Sequence, residues 1–347
     1  MKKRMLAVAM GLVMILGIAT GCSTKETGTG SSENSGEAKS SYVGDKSQEF
    51  YMITSVSGLD YWKGCYKGFE DAARILGVKT VYAGPTEPDL NKAVTVMDQI
   101  IAKNPAGIAV YCMNEDGFVD VINRAVDAGI PVVTFDSDSP DSKRYTYLST
   151  GNEEAGAAAA HELAEQIGRK GKVGIVTNIG PENMTARVKG FEDVMKAEYP
   201  DIEVVQTLNG ESDQNTAATQ VSSFLQSNPD IAGLYCTYGE MSIGSVTALK
   251  DANMSGKVKV VTFDTDQVTL ESIKTGEVAA TVAQGRYNMG YWSLMKLFAV
   301  KNDLVNPVKN WKEVGISPLP DYVDTGVSVI TAENVDAIYD AEYGNKQ

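Results

Sequence analysis

Short apolar, β-branched runs alternate with longer amphipathic runs along most of this 347-residue chain. Strand patterns read at Glu49 to Ser55, Val78 to Tyr82, Lys172 to Thr177, Ile202 to Leu208, Val278 to Gln284 and Gly326 to Thr331. Between them the apolar positions recur at helical spacing over Tyr61 to Leu76, Leu90 to Lys103, Glu153 to Ile167, Thr185 to Glu198, Ala217 to Ser227, Met289 to Val300 and Ala332 to Tyr339. The first of these places Trp62, Cys65, Tyr66, Phe69, Ala72, Ala73 and Leu76 along one face and stops at Gly77.

One pattern occurs twice. Gly107-Ile108-Ala109-Val110-Tyr111-Cys112 leads across an amphipathic interval to Val132-Val133-Thr134-Phe135-Asp136-Ser137-Asp138, and Ala232-Gly233-Leu234-Tyr235-Cys236 leads likewise to Val260-Val261-Thr262-Phe263-Asp264-Thr265-Asp266. Intervals of about 25 to 30 residues suit a strand-helix-strand crossover between parallel strands. Unbroken apolar runs suit strands buried on both faces, and the Asp that ends each run falls at the carboxyl edge, where open α/β sheets bind ligands. The predicted fold class is therefore α/β, with two similar doubly wound parallel-sheet lobes joined by a multi-strand hinge and sharing one site. The expected division is 48–150 with 286–317 in the first lobe and 151–285 with 318–347 in the second. The chain then passes between lobes near Ser149 to Asn152, Gln284 to Arg286 and Pro318 to Asp324.

The N-terminus belongs to neither lobe. Lys2, Lys3 and Arg4 precede an apolar stretch from Met5 to Ile18 and the small-residue site Ala19-Thr20-Gly21-Cys22, the layout of a secretory signal peptide. Its end is similar to a bacterial lipobox, with Cys22 as the lipidated first residue of the mature chain and Ala19 where Leu is more usual; ordinary secretion with Cys22 a bystander is the rival. An acyl anchor at Cys22 would hold a soluble domain on a membrane face. Residues 23–47, rich in Ser, Gly, Thr, Glu and Lys, read as a flexible tether.

Charge and motif content remove several function classes. A net charge of −14, without a basic run outside the leader, argues against a nucleic-acid partner. Cys65, Cys112 and Cys236 show no CxxC spacing and read as buried apolar thiols, with a disulfide as the alternative. No phosphate-binding loop, GxSxG or HExxH motif occurs, and His161 is the only histidine, so no cofactor, metal or catalytic triad is expected. Asp136-Ser137-Asp138 opens like a calcium loop, but Asp141 and Tyr147 stand where such a loop needs Gly and Glu.

A set of local patterns from Tyr61 to Gln284 carries a family resemblance: Tyr61-Trp62 before Gly68, Pro85-Thr86-Glu87-Pro88-Asp89, the run Asp136 to Arg144, Gly151-Asn152 with Ala155-Gly156, Arg187 before Phe191, Glu240-Met241, Thr262-Phe263-Asp264 and Ala283-Gln284. In order and spacing the chain resembles the type I periplasmic-type sugar-binding proteins, the ribose, galactose and xylose receptors that deliver substrate to ABC importers. The resemblance runs from about Glu49 to Gly344. It implies an extracytoplasmic, monomeric receptor whose partners are a mono- or small saccharide and a membrane permease, with no enzymatic activity.

By the same resemblance Asp136, Arg187, Asp264 and Gln284 stand where relatives hydrogen-bond sugar hydroxyls, and Trp62, with Tyr61 beside it, where an aromatic ring covers the sugar face. The chemistry is sound: carboxylate, guanidinium and amide groups match hydroxyls that both donate and accept. Several positions depart from the family pattern, namely Tyr111-Cys112, Ser137, Ser212 and Tyr238-Gly239. Tyr238 is expected to supply a second ring that Ser212 no longer offers. Each assignment has a rival, since Trp62 also fits a core position and Arg187 also fits a surface ion pair. Two other function classes remain open on the sequence, a carbohydrate-active enzyme with paired carboxylates and a ligand sensor for a signalling partner.

Overall fold

The computed structural model describes residues 44–344. The signal peptide, Cys22 and nearly all of the expected tether lie outside the described residues, as do residues 345–347. The first lobe opens with β1 (Glu49–Ile53), α1 (Tyr61–Leu76), β2 (Lys79–Ala83), α2 (Leu90–Ile101), β3 (Gly107–Val110), α3 (Val119–Asp127), β4 (Val132–Phe135) and β5 (Tyr147–Ser149). The second contains α4 (Asn152–Gln166), β6 (Gly171–Thr177), α5 (Glu182–Glu198), β7 (Ile202–Asn209), α6 (Gln214–Ser227), β8 (Ile231–Cys236), α7 (Gly239–Asp251), β9 (Lys259–Phe263), α8 (Gln267–Lys274) and β10 (Ala280–Gln284). The chain then adds α9 (Arg286–Lys301), α10 (Trp311–Val314), β11 (Tyr322–Asp324), β12 (Val327–Thr331) and α11 (Val335–Tyr343).

Two six-stranded sheets result, ordered β2-β1-β3-β4-β5-β11 and β7-β6-β8-β9-β10-β12. The first is parallel throughout, and in the second only β12 runs antiparallel, against β10. Apolar side chains fill both faces of each sheet, with Phe50, Trp62, Phe69 and Phe135 in one layer of the first lobe and Phe191, Tyr235 and Phe263 in one layer of the second. Cys65, Cys112 and Cys236 are free and buried in these layers, as small hydrophobes.

The chain's last crossing comes later than the sequence suggests. The sequence division places residues 318–324 in the second lobe, yet β11 pairs with β5 of the first sheet, Tyr322 opposite Tyr147 and Asp324 opposite Ser149. Pairing satisfies the open edge of β5, a strand too short to show any periodicity in the sequence. The crossing therefore occurs at Thr325 and Gly326, where Gly326 takes a left-handed φ of 76°. Helix α6 likewise starts earlier than its apolar pattern, because Asp213 caps it by accepting from the Thr216 amide at 2.8 Å.

The three crossing segments are bonded to one another. The Thr325 amide donates to Ser149 O at 2.9 Å, the Gly151 amide to Asp324 Oδ1 at 2.9 Å, and the Gly285 amide to Thr150 Oγ1 at 3.3 Å. A Cβ on Gly285 would lie 2.3 Å from Thr325 O, so only glycine fits where these strands touch.

Candidate functional site: a cleft between the two lobes

A cleft of about 1150 Å³ opens at the carboxyl ends of both sheets, and Tyr61, Trp62, Asp136, Arg187, Tyr238, Asp264 and Gln284 all line it. The first lobe brings Tyr61, Trp62 and Asp136; α5, the turn after β8, and the ends of β9 and β10 bring the other four.

Asp136 and Asp264 are equivalent in backbone as well as in sequence. Each follows the last residue of its strand in the left-handed region, at φ 62° and φ 68°. Each still donates its amide across the sheet, Asp136 to Leu148 O at 2.9 Å and Asp264 to Val282 O at 3.0 Å. Asp is among the few L residues that enter this region readily, and the turn swings the carboxylate off the sheet edge into the cleft. Asp136 Oδ1 accepts from Tyr61 Oη at 2.7 Å, and Asp264 Oδ1 accepts from Gln284 Nε2 at 2.8 Å. Behind Asp136, Arg144 bridges Asp138 and Asp321, which fixes the loop after β4 to the start of β11.

Burial pushes the Asp136 carboxyl up to about 6 despite the Tyr61 hydrogen bond, and the charge of Asp264 adds to the rise while Arg187 and Arg286 oppose it. Asp266 is also pushed up to about 6, by burial and then by Asp264 and Glu240. This end of the cleft is thus crowded with carboxylates.

Arg187 is buried at 3% exposure. Its Nε donates to Asn152 Oδ1 and its Nη1 to Thr237 O, both at 2.9 Å, while the guanidinium lies 3.7 Å from the centre of the Phe263 ring. Among the described residues it forms no ion pair, which removes the surface-acid alternative and leaves Nη2 without a protein acceptor. Close helix packing sets its height, since a Cβ on Gly156 of α4 would stand 2.0 Å from Arg187 O.

Trp62 occupies the core and the cleft wall together. It is 3% exposed, edge-on to Tyr61, Tyr111 and Phe135 at 4.7, 5.0 and 5.8 Å between ring centres, and its Nε1 is buried without a partner. Tyr238, half-buried at the N-cap of α7, lines the opposite side. Ser212 is absent from the cleft wall and accepts from Asn178 Nδ2 at 3.0 Å instead.

Sequence reasoning left out Tyr111, Asn152, Glu240 and Asp266, all of which line the cleft. Asn152 and Glu240 sit inside patterns already singled out, and Asp266 repeats the place of Asp138 two residues past its strand-end Asp. Tyr111 departs from the family pattern, and a large ring at a strand's carboxyl end is itself a cleft signal. Among the described residues no cluster of His, Cys, Asp and Glu has metal-binding geometry, and no helix is long and apolar enough to cross a membrane.

Two doubly wound lobes with a polar cleft across three crossing strands define a two-lobe binding protein. The sequence profile described as a periplasmic binding protein domain matches residues 50–303. An arabinose-binding protein from Geobacillus stearothermophilus is 42% identical, with a TM-score of 0.80 over 84% of this chain and 99% of that one. A sugar-binding protein of a sugar ABC transporter from Bacillus halodurans is 41% identical, with a TM-score of 0.79 over 84% of this chain and 100% of that one. The D-allose-binding periplasmic protein of Escherichia coli is 27% identical over 79% of this chain and 89% of its own length. This chain belongs to the periplasmic binding protein family, in the type I sugar-binding class that serves ABC importers, and acts outside the cytoplasm.

Proposed function

We propose that this protein captures a single monosaccharide between its lobes, with an arabinose-type pentose as the first candidate, and presents the closed form to an ABC permease. The observation that carries this reading is the convergence on one cleft of side chains from both lobes, headed by two carboxylates at equivalent strand ends. Asp136, Asp264 and Gln284 accept from or donate to ring hydroxyls, the free Nη2 of Arg187 donates, and Trp62 with Tyr61 on one side and Tyr238 on the other confine the apolar face of the sugar. Each buried polar group left unpaired by a wrong epimer costs about 1–3 kcal/mol, which is the source of selectivity. The pentose is favoured by the 42% identity to an arabinose-binding protein.

In this reading the sugar leaves unchanged, in keeping with a substrate-binding family. Cys22 carries the lipid that keeps the monomer at the membrane, and residues 23–47 give it reach. Calorimetric titration with arabinose, xylose, ribose, allose and galactose tests the reading: one member should bind one-to-one and be recovered intact after incubation. Silence across the panel, or release of a shorter product, would reject it. For the anchor, Cys22→Ala should move the protein from the membrane fraction to the soluble one.

A further inference from the structure

We propose that Arg286 is a positioning residue that holds the two halves of the sugar site in register, with Glu342 as its counter-charge; the role presupposes the sugar cleft described above. Arg286 is the first residue of α9, two positions past Gln284, and α9 packs on α1 of the first lobe. It is 9% exposed and does not line the cleft. Its Nη1 donates to Tyr61 O at 3.3 Å, and its guanidinium lies 5.3 Å from the centre of the Tyr61 ring. Its Nη2 donates to Glu342 Oε1 and Oε2 at 2.8 and 2.9 Å and to Thr265 Oγ1. Thr265 in turn donates to Glu342 Oε2 at 2.8 Å, and Tyr343 Oη donates to Thr265 O at 3.0 Å.

What this cation touches is specific. Tyr61 carries the hydroxyl bonded to Asp136, and Thr265 directly follows Asp264. One buried guanidinium therefore ties the partner of one sugar-facing carboxylate to the chain neighbour of the other, across the boundary between lobes. Burial works against its charge, and Glu342, then Tyr61 and Asp264, more than restore it. The C-terminal helix α11 supplies Glu342, which gives that helix a part in holding the site. A planar fork can serve the Tyr61 carbonyl, Thr265 and Glu342 at once, whereas an ammonium cannot reach all three in fixed geometry.

The test uses Arg286→Lys and Glu342→Gln in the full chain, with the sugar found for the wild type. Removing either half of this buried pair should lower the melting temperature of the unliganded protein, and at a temperature where each variant is still folded it should bind the sugar about tenfold more weakly through faster release. Unchanged affinity in both folded variants would overturn the positioning role and leave a purely structural contact. Failure of the wild type to bind any sugar overturns the cleft reading instead, so the two ideas fail separately.

Discussion

Asp136 and Asp264 illustrate how far a single residue can be read. Their place at repeated strand ends is plain in the sequence, whereas their left-handed backbone is not, and that backbone dictates how each can be tested. Alanine would strain the turn, but asparagine tolerates it. Asp136→Asn and Asp264→Asn should therefore leave the unliganded melting temperature within about 2 °C of wild type while each weakens sugar binding by roughly 1.5–3 kcal/mol, the worth of a charged hydrogen bond. Thermal melts and calorimetry on the same samples check both halves; a large fall in stability with unaltered affinity would make these carboxylates structural.

Protonation gives a second reading of the same residues. Asp136 and Asp266 both titrate near 6, above the ordinary carboxylate range. Ionised Asp136 is the better acceptor for sugar hydroxyls, so affinity should drop as pH falls from 7.5 to 5, with protons released on binding near pH 6. Stability of the unliganded protein runs the other way. A carboxyl whose folded value is raised contributes stability that is full below about 4 and is lost as pH rises through 6. Relative to Asp136→Asn, wild-type protein should thus gain melting temperature on acidification over that window. Binding enthalpies in buffers of different ionisation heat, and melting curves from pH 4 to 7.5, measure the two signs; a flat affinity across pH 6 would contradict this assignment.

At the scale of elements, long amphipathic helices and unbroken apolar strands were legible, and three-residue strands were not. Nothing in Tyr147-Leu148-Ser149 or Tyr322-Val323-Asp324 distinguishes a strand from a loop until the two are seen side by side at the edge of the first sheet. Helix contacts were equally silent. Gly156 in an alanine-rich helix looks like any small residue, yet it presses on the backbone of Arg187. Gly156→Ala should force α4 and α5 apart, destabilise the protein by about 1–3 kcal/mol by overpacking, and weaken sugar binding because Arg187 moves with its helix. Denaturant unfolding with calorimetry tests it, and a variant of wild-type stability would show that the helices can give way.

For the whole molecule the sequence conveys the repeat, and with it two lobes and one cleft, but not the charge of that cleft. Among the described residues ten carboxylates line it against one cation, Arg187. No local motif reveals such an excess, because its members come from loops spread over both lobes. The excess has a consequence for ligand choice: an anionic sugar meets like charge in a site already crowded enough to hold two carboxyls near 6. Galacturonate should bind at least about a hundredfold more weakly than galactose or arabinose, whichever neutral sugar is preferred. Competition calorimetry decides, and equal affinity for the uronate would mean that the cleft's charge is screened from its ligand.

In the proposed role the sugar is held by both lobes at once, with bonds across Thr150, Gly285 and Thr325 acting as the pivot. Only a closed cleft brings Asp136 and Trp62 together with Arg187 and Asp264 around one ligand, so sugar selects closure. Small-angle scattering with and without saturating sugar, saturation being shown by calorimetry, should give a smaller radius of gyration for the liganded protein; an unchanged radius at full occupancy would rule out closure of two lobes around the sugar.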